Sequence, residues 1–129
     1  MGAGDVGPFD HDGALDLLAE IRMGDFSFEW VSTAVEDENY LEVDGGQMAV
    51  ALAALVRIIN RDPGAPDSPL DEADLAAFAA QLTPERITWI RQLQQRALSD
   101  GEHSELYELW EETDSLNSWL EASSGSAAT

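Results

Sequence analysis

LEVDGGQMAVALAALVRIINRDPG, residues 41–64, decides how this chain folds. Between Met48 and Ile59 nearly every residue is apolar, and Ala49, Ala51, Ala53 and Ala54 are all small. A buried strand competes as a reading, but the run is long and rich in alanine, so a helix is expected. A helix that is apolar on every side is a buried one. The stretch therefore predicts a central core helix whose alanines let neighbours approach closely. Asp44 followed by Gln47 has the spacing of an N-cap residue and its N3 partner, which sets the expected start. DPGAPDSP, residues 62–69, reads as the loop that ends it.

Shorter helices are expected on both sides. Toward the N-terminus, Asp12 reads as the cap of a helix over residues 13–23, and Gly24 ends it. Leu15, Leu18 and Ile21, with Ala14 and Leu17, form its expected apolar stripe. Phe9 is expected to tuck the entering chain against that helix. Ser27 is a cap for a helix from Phe28 to about residue 38. Toward the C-terminus, residues 71–81 read as a helix. Thr83-Pro84-Glu85 then reads as cap, Pro at N1 and an acid in the first turn. The helix that follows sets Ile87, Ile90, Leu93 and Leu98 near one face. Ser104 caps the next, with Leu106, Leu109 and Trp110 on one side. A last short helix carries Leu116, Trp119 and Leu120. Residues 123–129, SSGSAAT, are polar and small and are expected to fray. The expectation is an all-α domain over residues 1–122: a compact bundle of about five or six short helices around one central apolar helix.

Charge narrows the partners. The 129 residues hold 26 Asp and Glu against 6 basic residues, a net charge of −20, and every basic residue is arginine. Such a field repels a phosphate backbone and an anionic lipid surface, so neither nucleic acid nor a membrane is an expected partner. It favours a basic protein, polyamines or divalent cations. An acidic surface also serves solubility alone. The chain has no cysteine, hence no disulfide and no thiolate metal site. Its first residues have neither the basic nor the apolar part of a secretory signal, and its longest apolar run is far short of a membrane span. The cytoplasm is the expected setting.

Catalytic motifs are scarce. GAGDVG, residues 2–7, has the letters of a dinucleotide loop, but no strand can precede it and Pro8 follows. HExxH and GxSxG do not occur. Adjacent acids such as Glu111/Glu112 follow from composition and single out no acid–base pair. The one dense polar constellation is Asp10, His11 and Asp12, with Asp16 a helical turn on. These four are candidate metal ligands. A helix start also attracts carboxylates with no metal, through its free N–H groups and dipole. His103, the second histidine, lies beside Glu102 and Glu105. The four tryptophans fall inside apolar stripes. If Trp110 or Trp119 were exposed, it would mark a protein interface.

Two stretches carry a resemblance. Gly7, Phe9, Asp10, His11, Asp12, Ala14 and Asp16 resemble the G-x-F-[DE]-N-D-x-A-x-D run of the DUF4259 family, a bacterial family without an assigned activity. His11 stands where that run has Asn. Ser104, Glu105, Leu106, Leu109, Trp110 and Glu111 resemble the family's SEL-x-x-LW-E pattern, and Trp119 matches a following Trp. The resemblance implies no reaction and no cofactor. An Asn/His exchange at position 11 fits a side-chain hydrogen bond at the helix start better than a shared metal ligand. The functional expectation is a small acidic module that binds a protein or regulates one, without catalysis. The alternative is a metal-binding protein or metal-dependent enzyme built on Asp10, His11 and Asp12.

Overall fold

The computed structural model describes residues 7, 9, 11–37, 39–63 and 65–124. Among them seven helices follow one another: α1 (Asp12–Met23), α2 (Phe28–Ala34), α3 (Val43–Ile59), α4 (Glu72–Ala79), α5 (Pro84–Ala97), α6 (Glu105–Glu111) and α7 (Leu116–Ser124). The class is the all-α one expected, with one helix more than five or six. A turn adds it. Thr113 accepts from the Ser115 N–H at 3.0 Å through its Oγ1 and separates α6 from α7. α7 runs to Ser124, into the stretch expected to fray, while residues 125–129 lie outside the described ones.

α3 is the axis. Every residue from Met48 to Val56 is buried, and α1, α2, α4, α5 and α6 all pack against it. The physical reason for its apolar circumference lies in the two halves of the core. Ala51, Leu52, Leu55 and Val56 join Leu17, Leu18, Phe28 and Phe78 on one side. Ala49 and Val50 join Leu41, Leu93, Leu106 and Trp119 on the other. Each fully buried Leu contributes about 1.5–3 kcal/mol by leaving water. Among the described residues no helix is long and apolar enough to cross a membrane.

The helix ends divide into local and long-range ones. Ser27, Thr83 and Ser104 cap α2, α5 and α6 as their sequence predicts, each accepting an N–H bond three residues on. Asp71 does the same for α4. The two remaining N-terminal expectations are corrected. α1 begins at Asp12 itself, with His11 as a cap residue that makes no side-chain cap bond. Instead Gln47 of α3 reaches across, and its Oε1 accepts the Gly13 N–H at 2.7 Å. α3 begins at Val43, so Asp44 is a first-turn residue and not the cap. The Val43 N–H donates to Glu105 Oε1 of α6 at 2.8 Å. Helix starts that lack a local oxygen thus borrow one from a neighbouring helix.

Close packing lets those bonds form. A Cβ added at Gly13 would lie 2.8 Å from the Asp44 carbonyl oxygen and 2.8 Å from Gln47 Cβ. Beside this contact, Leu41 forms a single parallel bridge with Ser104. Its N–H donates to His103 O at 2.8 Å and its carbonyl accepts from Glu105 N at 2.9 Å. α2 ends at Ala34, earlier than expected, because Asp37 Oδ1 takes the Asn39 and Tyr40 N–H groups and turns the chain. One apolar expectation also fails: Leu15 is 50% exposed. Ala14, Leu17, Leu18 and Ile21 complete the i, i+3, i+4, i+7 face, and Leu15 lies off it. Phe9 packs against the core as expected.

At its C-terminus α3 closes with paired 6→1 and 5→2 bonds. The Asp62 N–H donates to Arg57 O and the Arg61 N–H to Ile58 O, both at 3.0 Å. Such a closure puts the residue after the cap in the left-handed region, where glycine is the usual choice. Here that residue is Arg61, at φ 57°.

Two stability outcomes follow from these contacts. Gly13→Ala, which would help an ordinary helix, is expected to destabilise the protein by roughly 1–3 kcal/mol, because the new methyl meets backbone. Arg61→Gly is expected to stabilise it by about 1 kcal/mol through relief of the left-handed backbone. Urea unfolding of the two variants against the parent checks both signs.

Candidate functional site

Among the described residues, the polar constellation at the N-terminus does not come together as a set of ligands. Asp10 lies outside the described residues. The His11 ring turns inward and meets the Trp110 ring edge-on, with centroids 5.6 Å apart at 73°. Its Nε2 is buried without a hydrogen-bond partner. Asp12 and Asp16 are exposed on α1. Among the described residues no group of three His, Asp or Glu side chains is placed to hold a metal ion. The side-chain bond expected of position 11 at the helix start is absent, because Gln47 takes that place.

Trp110 and Trp119 are 6% and 1% exposed. They stack on one another, 5.8 Å between centroids at 10°, and Tyr107 meets Trp119 edge-on. Both indoles therefore fill the second half of the core, Trp110 from α6 and Trp119 from α7. An interface anchor needs an exposed ring, which neither supplies.

His103 bonds within its own turn. Its ring Nδ1 and its backbone N–H both bond Asp100 Oδ1, at 2.8 and 2.9 Å. The ring bond, set against partial burial and helped by the backbone bonds and the imidazole charge, holds the Asp100 carboxyl below its ordinary 3.8. This turn presents the His103 carbonyl to Leu41, so it also positions the bridge that joins the two halves of the chain.

Two surface features escape a reading by motif. One is an acidic patch where the starts of α3 and α6 meet. Tyr40 sits there half-buried, and its phenol is pushed above 10.0 by burial first and then by the charges of Glu105, Glu108 and Glu42. Leu109, on the same helix as Glu105 and Glu108, is one of the exposed large apolar residues.

The other feature is a cavity of about 520 Å³ between the C-terminal end of α3 and α5. Arg57, Arg61 and Arg91 line it, over a floor that includes Val56, Ile87 and Ile90. The remaining arginines are tied elsewhere. Arg22 donates to Pro69 O, Arg86 to Gln81 O and Arg96 to Asp37 O, at 2.8, 2.6 and 2.6 Å. Arg86 also lies 4.7 Å above the Phe28 ring. The spacing of arginines in the sequence gives no sign of this division, because the cavity joins residues of two helices and the turn between α3 and α4.

An acidic all-helical domain with a buried axial helix is the class these observations define. The chain belongs to the DUF4259 family, a domain of unknown function, whose model matches residues 2–122. No curated protein and no solved structure matches it.

The Asp100 contact has a measurable consequence. His103→Ala is expected to move the Asp100 titration upward, toward 3.8, in a carbon-detected NMR pH series. Because the folded value is the lower one, the stabilisation from this contact is complete above about 3.8 and fades as pH falls through the folded value.

Proposed function

We propose that the protein is a non-catalytic module that docks a basic protein partner through its acidic surface. The carrying observation is that the acidic charge is left unneutralised. Arg22, Arg86 and Arg96 each bond a backbone carbonyl and not a carboxylate. The large excess of Asp and Glu therefore faces water with few cations near it. A field of that kind steers a cationic partner and rejects an anionic one.

The patch around Tyr40 supports this reading most directly. Glu42 and Glu108 are exposed there, Tyr40 gives an aromatic face, and Leu109, next to Glu108 on α6, is an exposed apolar residue. An aromatic and an apolar group inside a ring of acids suit a partner segment that carries Lys or Arg beside a hydrophobic residue. The cytoplasm is the setting this reading assumes.

Affinity capture from native lysate tests it, at low and at moderate salt, with the parent and with a Glu42→Gln/Glu108→Gln/Tyr40→Ala variant. The expected outcome is one basic protein held by the parent at both salt levels and lost from the variant. Recovery of nothing specific, or equal recovery by the variant, overturns the proposal.

A further inference from the structure

Half of the arginines in a strongly acidic chain meet at one cavity. Arg57 and Asp62 hold other interactions within the chain, and Arg61 and Arg91 are the remaining arginines on the wall. Among the described residues neither of those guanidiniums has a hydrogen-bond or ion-pair partner. Arginine side chains are long and pair readily with carboxylates, which are abundant here. Arg61 and Arg91 line the cavity with their side chains exposed to solvent. Asp62 lines the cavity as well and still leaves its wall net positive.

The backbone adds an independent observation. Arg61 occupies the left-handed position that closes α3, at φ 57°, where glycine would fit without strain. A cation is thus set into the cavity wall at a backbone cost, and strain of this kind gathers at binding sites. Two of the carbonyls at this helix end, Arg57 O and Ile58 O, accept the closing bonds. The cavity volume of about 520 Å³ lies in the range of small-molecule sites. Its floor of Val56, Ile87 and Ile90 is apolar.

We propose that this cavity binds a small organic anion, a carboxylate or phosphate carried on an apolar body, with Arg61 and Arg91 binding the oxyanion and the α3–α5 floor taking the apolar part. The oxyanion is the shared chemistry, since a guanidinium fork matches both groups. This site is separate from the acidic docking patch and stands without it.

Calorimetric titration of the full chain with phenyl phosphate, benzoate and neutral benzyl alcohol tests the proposal and separates the two oxyanions. One anionic probe is expected to bind at one per chain, at least roughly ten-fold tighter than the alcohol. Arg91→Gln and Arg61→Gly are each expected to weaken it by a similar factor, roughly ten-fold. Arg61→Gly is also expected to raise Tm, so that loss of binding and gain of stability coincide, which a structural role alone would not produce. Arg22→Gln removes the same charge away from the cavity and is expected to leave affinity unchanged. Equal binding of the alcohol, no binding of either anion up to millimolar probe, or an equal loss in Arg22→Gln overturns the proposal. A docking failure would leave all these outcomes untouched.

Discussion

A helix with no solvent face must be covered on every side, and this one requirement organises the molecule. α3 supplies buried residues to both halves of the core, so five helices have to reach it. Two of these approaches are close near its start. There a glycine of α1 lies against the Asp44 carbonyl, and Leu106 of α6 lies against Gly46, where an added Cβ would stand 3.0 Å from Leu106 Cβ. The same crowding brings Gln47 to the start of α1 and Glu105 to the start of α3. The polar ends of the helices are thus satisfied by the packing that buries their apolar faces. Neither could be altered alone.

Charge follows a separate logic. The core needs none, and among the described residues its walls hold few polar groups, with Ser104 and Gln94 the buried exceptions. Ser104 earns that position by bonding Ala97 O while capping α6. Acids are left to the surface, where their mutual repulsion is screened by water and salt. Arginines then act as staples between segments or as the wall of the α3–α5 cavity. A surface of one sign and a cavity of the other underlie the two binding roles proposed above.

His11 illustrates how a motif changes meaning in three dimensions. Beside Asp10 and Asp12 it has the composition of a metal site. In the fold its ring packs on Trp110, which stacks in turn on Trp119. The N-terminal and C-terminal stretches that carry the family resemblance are therefore in contact, and the motif at one end is shaped to receive the motif at the other. That contact gives both patterns a packing role.

Local physics was legible in the sequence alone. The apolar circumference of α3, the caps Ser27, Thr83 and Ser104, Pro84 at the start of α5 and the all-α class all follow from residues within a turn or two of each other. Such features need only helical periodicity and the free N–H groups of a first turn. Tertiary structure decided what depends on the direction in which helices cross. The caps of α1 and α3 come from residues 34 and 62 positions away. Arg57, Arg61 and Arg91 share a cavity because α5 lies against the end of α3. Leu15 faces water and the two tryptophans do not, although all three sit in apolar stripes. Periodicity fixes which face of a helix is apolar, but only the placement of its neighbours fixes how wide a strip of that face is covered.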